Sequence, residues 1–530
     1  MKLSQVLKYD KAVLNGLSII TIVTLLTAIF SKLTSDSNID IFFCSDTLYL
    51  PSLYKDLIVD KNSIWDWELN PAPNYFPDML VYFLLMFITN DFVLVSFIFS
   101  ILQYVLIGFL FIKIFKLIFP TASVYYNLLI YSLLSFFLLE FFFFTKDFYY
   151  VFFMIINSYH TGAFIISLLC IFLSFKYIFD KKITGLLVIF FLGFLMVVSD
   201  KLFMVLYSIP ICLTCILMYK KIGIRTTLYF IGVIIAFTFP GLYVSKLLAK
   251  DSYGFNEHLG GVAKLDLIMA QFHIYFDQML FNLKAFGIKA ISLYLFILSV
   301  LLIVYVFFNS LKKQQNILIP FYALFSLIFT AVVICAPMAA GIYQNHACIR
   351  YSISPFYLAI LNMAVFFFYC KKTPIIVVRG RFILLGMNLL LLTIGLSQLS
   401  FTGLKNYFNY YPENARLVDE WAEKENLKYG VANYWEAKKI TMFSKKNVKV
   451  YAVFDNVDAY LHVANNRWFF DNMFNFVVLT GFEDQTLYGN RMKDITYLSN
   501  SAHFKLIKTR PFYYNRFSGT SVINTEIKDK

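Results

Sequence analysis

The chain has 530 residues, of which 59% are hydrophobic, and it contains 61 Phe and 37 Tyr. Soluble globular proteins average about 45–50% apolar residues, so this composition excludes an ordinary soluble enzyme and indicates a membrane protein. The net charge of +14 would suggest a nucleic-acid partner, but the distribution of that charge along the chain argues against one.

Apolar runs separated by short polar segments follow one another through the first 400 residues. Each is close to the roughly 20 residues that cross about 30 Å of hydrocarbon as a helix. We therefore predict an α-helical polytopic membrane protein with about 11 transmembrane helices. The first run lacks a small-residue cleavage site and is predicted to be a signal anchor. The predicted spans are 13–31, 91–112, 123–143, 161–179, 183–199, 202–219, 226–248, 289–308, 317–336, 353–370 and 382–400.

The basic residues lie mainly in the segments on one side of these spans. With the N-terminus inside, the inner segments hold seventeen Lys and Arg residues against two acids, Asp10 and Asp180. Short cytoplasmic loops of membrane proteins carry such an excess of Lys and Arg. The charge therefore predicts a cytoplasmic N-terminus and a periplasmic or extracellular C-terminus, with no nucleic-acid partner. The sequence contains no Asn-x-Ser/Thr acceptor, which favours a bacterial cytoplasmic (inner) membrane.

The chain divides into two predicted domains. Residues 1–400 form a transmembrane domain with a long first outer loop at 32–90 and a second at 249–288. Residues 401–530 change pattern, beginning with an amphipathic helix over 413–427. The segments YGVA, NVKVYAVF, NFVVLTG and HFKLIKT then read as strands, and NYWEAKKITMF reads as a helix. Strands alternating with helices predict an extracytoplasmic α/β domain.

The first outer loop is rich in acids, aromatic residues and prolines. Pro51 is predicted to open a short helix, since Pro suits the first helical position. Leu53 and Leu57 give that helix an apolar side that would rest on the membrane surface. A second helix is predicted from Pro77 to Thr89. It is too short to span the membrane and reads as interfacial or re-entrant.

Asp46, in the segment SDTLY, is the strongest candidate for a catalytic residue. A sugar transferase needs a carboxylate within hydrogen-bond reach of the acceptor hydroxyl, to accept its proton. That carboxylate must lie at the membrane–water boundary if the sugar donor is a lipid. Asp40 is the runner-up. The competing interpretation is that outer loops are acidic simply because they are not cytoplasmic.

Arg350, in CIRYS, and Lys201, in SDKLF, lie at the predicted outer ends of spans. The positive-inside rule disfavours cations there, so each position needs a reason. A phosphate headgroup would supply one, and Arg can bind it through two parallel hydrogen bonds. The alternatives are extension of both side chains to lipid headgroups and a local ion pair between Lys201 and Asp200.

Several nearby residues complete the candidate site. His160, Tyr49 and Tyr351 are candidate substrate contacts, although a lone His at such a position is more often a structural hydrogen-bonding group. Asp78 would either stabilise the start of its helix or share a divalent cation with Asp46. Two carboxylates with no His or Cys ligand would suit Mg²⁺ or Mn²⁺. No cofactor is otherwise predicted.

This arrangement resembles the GT-C fold family of polyprenyl-phosphate-dependent membrane glycosyltransferases. SDTLY is similar to the Asp-Glu motif of the protein O-mannosyltransferases, with Thr47 replacing the second acid. GVANYWEAKKI is similar to the Trp-Trp-Asp-Tyr-Gly region of the oligosaccharyltransferases, from which Tyr434 and Glu436 depart. The resemblance implies inverting transfer of one sugar from a lipid-linked sugar donor, with Asp46 as the base. The acceptor would be a lipid-linked glycan, lipopolysaccharide, teichoic acid or protein.

Three other functions fit parts of the sequence. A glycan polymerase or ligase would act at the same membrane face on two lipid-linked substrates. A transporter or flippase for lipid-linked oligosaccharides typically has broken helices and buried charges in its spans; the predicted spans carry few such charges. A third interpretation is a membrane anchor for the C-terminal domain.

Overall fold

Long apolar helices form most of the first 400 residues. The computed structural model describes residues 3–33, 39–40, 42–143, 150–248, 264–284, 290–312, 316–370, 374–455, 457–480, 494–500, 504–514 and 523–524. The helices of the membrane part are α1 Leu3–Lys32, α2 Tyr49–Tyr54, α3 Leu80–Thr89, α4 Phe92–Ile118, α5 Tyr125–Leu139, α6 Tyr150–Ile155, α7 Thr161–Asp180, α8 Ile183–Ser199, α9 Ile209–Leu217, α10 Tyr219–Ile222, α11 Ile224–Leu248, α12 Leu265–Lys284, α13 Ile291–Lys312, α14 Leu318–Ala339, α15 Ser354–Tyr369 and α16 Pro374–Gln398.

Every predicted span coincides with a helix, but fewer of these helices than the predicted eleven are long enough to cross a membrane. Among the described residues, six helices are long and apolar enough to cross a membrane, or eight if two bent pairs each count as one span. Three predicted runs form shorter helices, Tyr125–Leu139, Ile183–Ser199 and Met204–Leu217, each of 10–17 residues. At about 1.5 Å per residue, these helices fall short of the roughly 30 Å of hydrocarbon. The structure thus indicates a polytopic helical membrane protein with six to eight candidate spans.

Polar side chains between the helices pair with one another. Thr21 in α1 donates to Asn388 Oδ1 in α16 at 2.9 Å, and Asn388 Nδ2 donates to Ser132 in α5 at 3.3 Å. Hydrogen bonds of this kind satisfy polar groups where no water is present and hold helices together in lipid. They fix α1, α5 and α16 against one another below the first outer loop.

The C-terminal part is an α/β domain, as the sequence predicts. Helices α17 Phe401–Phe408, α18 Glu413–Ala422, α19 Tyr434–Phe443 and α20 Arg467–Phe470 accompany strands β2 Tyr429–Ala432, β3 Lys449–Ala452, β5 Phe474–Thr480, β6 Thr496–Asn500, β7 Phe504–Tyr514 and β8 Ile523–Asn524. The sheet has the order β3-β2-β5-β7-β6, and β8 pairs with β7. β2 is parallel to β3 and β5, while β5 is antiparallel to β7. Helix α19 connects the parallel strands β2 and β3, as a parallel pair requires.

The first outer loop packs against this domain. Strand β1 Trp67–Glu68 in the loop pairs antiparallel with β4 Ala464–Asn465 in the domain. Ile58 and Val59, in the helical turn Lys55–Val59 that follows α2, are exposed, so contact of this segment with the membrane surface stays a prediction. Every residue of α2 itself is buried. Its side chains belong to a core cluster that includes Trp67, Met79 and Tyr82. The second predicted helix is confirmed, because the chain is helical as far as Thr89 after a kink at Phe76. Part of the second outer loop lies outside the described residues; the rest contains α12.

Candidate functional site

A cavity of about 880 Å³ lies where the first outer loop, the end of the helical bundle and the α/β domain meet. It is close to the end of α1 and to the starts of α7 and α15, so it opens at one end of the bundle. Its walls are formed by Asp40, Cys44, Asp46, Phe153, Tyr159, Ile274, Gln344, Asn345, His346, Ala347, Arg350, Trp435, Glu436 and Lys439. Three residues predicted from the sequence, Asp46, Asp40 and Arg350, therefore line one space.

Asp46 is held by two phenol hydroxyl groups. Tyr434 Oη donates to Asp46 Oδ1 at 2.6 Å, and Tyr159 Oη donates to Oδ2 at 3.4 Å. Ser45 Oγ also donates to the backbone carbonyl of Tyr434, which joins the loop to α19. Burial, and then the charge of Asp46, raises the pKa of Tyr434 well above its ordinary value, so this phenol stays a donor. An ionised carboxylate offers about four lone-pair positions, so Asp46 can still accept a proton from a ligand in the cavity.

Lys438 lies behind Asp46, away from the cavity wall. Its side chain is buried, and Nζ donates to the Ser45 carbonyl at 3.3 Å and lies 5.1 Å from the centre of the Tyr434 ring. Burial lowers the pKa of Lys438 to about 7, although Asp46 acts in the opposite direction. Lys438 is not among the site residues predicted from the sequence. The signal for it was the four-residue spacing of Tyr434 and Lys438, which places both on one face of a helix.

Arg350 forms the opposite wall. Its guanidinium carbon lies 5.5 Å from the centre of the Tyr159 ring and 5.1 Å from that of Tyr351, and Nη2 donates to Tyr351 Oη at 3.2 Å. Contacts of a guanidinium with aromatic faces are favourable and restrict its orientation. Tyr159 thus touches both Arg350 and Asp46, so a cation and a carboxylate approach the same part of the cavity from two sides.

An ion-pair triad forms the wall on the side of the α/β domain. Lys439 Nζ lies 3.0 Å from Asp40 Oδ1 and 3.2 Å from Glu436 Oε2. Burial opposes the charge of Lys439, but the two carboxylates outweigh it and raise the pKa of Lys439. Asn414 Nδ2 also donates to Glu436. Helix α19 begins here because the Asn433 side chain accepts hydrogen bonds from the backbone N–H groups of Trp435 and Glu436.

His160 and Tyr351 lie behind the Arg350 wall. His160 Nδ1 is 2.7 Å from Asp200 Oδ2, and the His160 ring lies 5.2 Å from the Tyr351 ring. Neither residue lines the cavity. In this arrangement Tyr351 supports Arg350, and His160 supports Tyr351, so both are placed to position the guanidinium.

Lys201 and Tyr49 lie apart from the cavity. Lys201 is exposed, and its neighbour Asp200 is bound to His160. Tyr49 is fully buried, and its hydroxyl donates to the Pro73 carbonyl at 3.0 Å. The structure therefore gives Tyr49 a packing role within the first outer loop.

Asp78 and Asp46 contact different partners. Asp78 is buried and accepts a hydrogen bond from Gln103 Nε2 at 3.5 Å. Among the described residues, no group of three or more His, Cys, Asp or Glu side chains could hold a metal ion. The phenols, thiol and lysine around Asp46 also differ from the carboxylate-rich oxygen ligands of Mg²⁺ and Mn²⁺. This donor set does not fit a shared divalent cation, and no chemical step is assigned to one.

Comparison with known proteins assigns the chain to no family. No protein-family model matches the chain, and no curated protein sequence matches it significantly. The likeness to GT-C enzymes therefore stays an expectation from the sequence.

Proposed function

We propose that the chain is a membrane glycosyltransferase that moves one sugar from a polyprenyl-phosphate donor to a glycan, lipid or protein acceptor of the cell envelope. The observation that carries this proposal is that Asp46 and Arg350 line one cavity at the end of the helices. Transfer from a lipid phosphate needs a base for the acceptor and a cation for the leaving group, and these two residues can supply them.

Arg350 would bind the donor phosphate. A guanidinium offers two parallel N–H groups to phosphate oxygens and remains charged throughout the reaction. Phe153 and Ile274, which line the same cavity, give it apolar surface next to the helices. A lipid tail could therefore remain among the helices while its phosphate reaches Arg350.

Asp46 would act as the general base. The acceptor oxygen attacks the anomeric carbon, its proton passes to Asp46, and the bond from that carbon to the phosphate oxygen breaks. The lipid phosphate leaves with the bonding electron pair, and Arg350 balances its charge. A single displacement of this kind inverts the anomeric configuration. The hydrogen bonds from Tyr434 and Tyr159 would hold the carboxylate in the orientation that proton transfer requires.

The charge distribution supports an outer position for the cavity. Basic residues lie at the ends of α4, α7, α9 and α13 that point away from it, and such residues favour the cytoplasmic side. We propose a bacterial inner-membrane protein with a cytoplasmic N-terminus and an outer C-terminal domain. A full eleven crossings would also require α5, α8 and the helix Met204–Leu217 to cross, which local thinning of the bilayer permits at modest cost.

The test uses the purified chain in lipid nanodiscs, a radiolabelled polyprenyl-phosphate hexose and an envelope extract as acceptor. Asp46→Asn keeps the size of the side chain and removes its basicity, so transfer should fall by about 10²–10⁴-fold. Asp40→Asn is the matched control in the same loop and should have a milder effect. Full turnover by Asp46→Asn together with loss in Asp40→Asn would move the base to Asp40. Full turnover by both variants would refute the proposal.

One observation favours a transporter as the second candidate. Asp78 and Asp200 are each 3% exposed and lie next to the helical bundle, and buried ionisable residues are typical of transport pathways. Flipping of a fluorescent lipid-linked oligosaccharide in proteoliposomes distinguishes the two functions. A transporter would lose this activity in Asp78→Asn and keep it in Asp46→Asn, whereas the transferase has no such activity.

A further inference from the structure

The cavity has two chemically different halves. Phe153, Ile274 and Arg350 form the half next to the helices, whereas the half next to the α/β domain is formed by Asp40 and the first turn of α19. Asp46 lies between them, because its two oxygens are bound by Tyr159 on one side and by Tyr434 on the other. If the donor occupies the half next to the helices, the second half remains for the acceptor.

Trp435 offers a fixed aromatic surface in this second half. Its side chain lines the cavity and is 55% exposed, although large aromatic side chains are usually well buried. The Tyr434 and Trp435 rings pack in a T-shaped arrangement at a centroid distance of 5.1 Å, and the backbone N–H of Trp435 donates to the Asn433 side chain that caps the helix. The face of an aromatic ring carries partial negative charge, so it attracts the C–H groups on the apolar face of a sugar ring.

Two carboxylates lie beside this ring with their orientations already set. Lys439 contacts both Asp40 and Glu436. Within the described residues, both hydrogen bonds that Asp40 accepts, from Lys439 and Tyr410, use Oδ1, which leaves Oδ2 for a ligand. Asp40 is also 46% exposed. Carboxylates only accept hydrogen bonds when ionised, so the ligand must supply donors, as hydroxyl or amino groups do.

The charge of this half restricts the ligand further. Two carboxylates face one lysine, so the wall carries net negative charge, and a nearby phosphate would meet like-charge repulsion. We propose that Trp435, Asp40 and Glu436 form the acceptor subsite and that the acceptor is a neutral or amino sugar ring of a glycan. This inference depends on the proposed transferase function, and it disfavours a phosphate-rich acceptor such as teichoic acid.

The test measures binding without a donor, so that it does not depend on transfer. The full chain in nanodiscs is titrated with a panel of neutral, N-acetylated and amino hexose oligosaccharides, and binding is followed by saturation-transfer NMR. A glycerol-phosphate oligomer and a hydroxyl-rich peptide are tested in parallel. Trp435→Ala should weaken glycan binding by about 3–10-fold, the range for loss of one aromatic contact, and Trp435→Phe should recover part of it. Trp65→Ala is the control, since Trp65 is 64% exposed and lies outside the cavity lining.

The possible outcomes separate the two proposals. Glycan binding that depends on Trp435, in a chain that shows no transfer activity, would support the proposed subsite and contradict the proposed transferase function. The acceptor assignment is overturned by an absence of glycan binding, by equal binding to Trp435→Ala and wild type, or by a preference for the phosphate oligomer or the peptide. Transfer activity together with any of these results would support the transferase function but contradict the proposed acceptor class.

Discussion

A single buried carboxylate joins the first outer loop to the α/β domain. Asp56 is 2% exposed and accepts hydrogen bonds from four N–H donors. Trp67 Nε1 and Asn465 Nδ2 donate to Oδ2 at 2.6 and 2.8 Å, and Asn62 Nδ2 and Trp468 Nε1 donate to Oδ1 at 2.8 and 2.7 Å. Two donors come from the loop and two from the domain, so loss of Asp56 should loosen the contact between them.

The size of the effect follows from the burial of the donors. Trp67 and Asn465 are 2% and 0% exposed, so neither can turn to water when the acceptor is removed. A buried donor without a partner costs about 1–3 kcal/mol, and Asp56→Ala should therefore destabilise docking by about 2–6 kcal/mol. Asp60→Ala is a matched control at the same interface. Asp60 pairs with Lys449 at 2.8 Å, but both are more than 20% exposed, and such pairs contribute about 0.2–1 kcal/mol.

Hydrogen exchange followed by mass spectrometry is the assay. Peptides covering β1 and β4 should lose protection in Asp56→Ala before the helices of the membrane part do. Thermal unfolding in detergent then compares the two variants with the wild type. Equal protection and equal unfolding temperature for Asp56→Ala and Asp60→Ala would refute the reasoning, because the buried acceptor would then contribute no more than an exposed ion pair.

Three further predictions concern the site and the topology. Arg350→Lys should retain part of the transfer activity and Arg350→Ala none, since Lys offers a point charge without the planar fork; equal activity of Arg350→Ala and wild type would contradict phosphate binding. Alkaline-phosphatase fusions should be active after residues 60, 270 and 530 and inactive after 115, 222 and 314, and an active fusion at 222 would contradict the proposed eleven crossings. Because burial lowers the pKa of Lys438 to about 7, the unfolded chain holds a proton that the folded chain lacks between pH 7 and about 10. The free energy of unfolding should therefore rise with pH in that window. Lys438→Met should abolish this rise in thermal unfolding at pH 7 and 9, and an unchanged rise would contradict the shifted pKa.

The sequence predicted the helices well because apolar length is a local property. It predicted their ends less well, because ends depend on partners elsewhere in the chain. The run 123–143 shows the reason: the α-helix α5 ends at Leu139 and the chain continues as a 3-10 helix over Glu140–Phe143, where Glu140 accepts hydrogen bonds from the backbone N–H and the hydroxyl of Ser292. Ser292 lies in the first turn of α13, 152 positions away. No local pattern reports a contact of that kind.

Contacts between distant parts of the chain also limited the prediction of the site. Asp46 was recognisable as an acid in the predicted first outer loop. Arg350 was recognisable as a cation at the predicted outer end of a span, where the positive-inside rule disfavours it. Tyr49 is only three residues from Asp46, but α2 turns it into the core. Tyr434 and Lys438, which contact Asp46 and Ser45, are 388 and 393 positions away from them. Their role depended on how the α/β domain docks.

That docking makes the C-terminal domain part of the site. Helix α19 supplies Trp435, Glu436 and Lys439 to the cavity wall and Tyr434 to the carboxylate of Asp46. A chain truncated after residue 400 would keep Asp46 and Arg350. It would lose the hydrogen bond from Tyr434 that orients Asp46, the proposed base, and it would lose the proposed acceptor surface. A simple anchor would tolerate replacement of the domain by an unrelated one, whereas the transferase would not. Loss of activity on such a replacement, with membrane insertion unchanged, would therefore set the transferase apart from the anchor, and retained activity would contradict a catalytic role for α19.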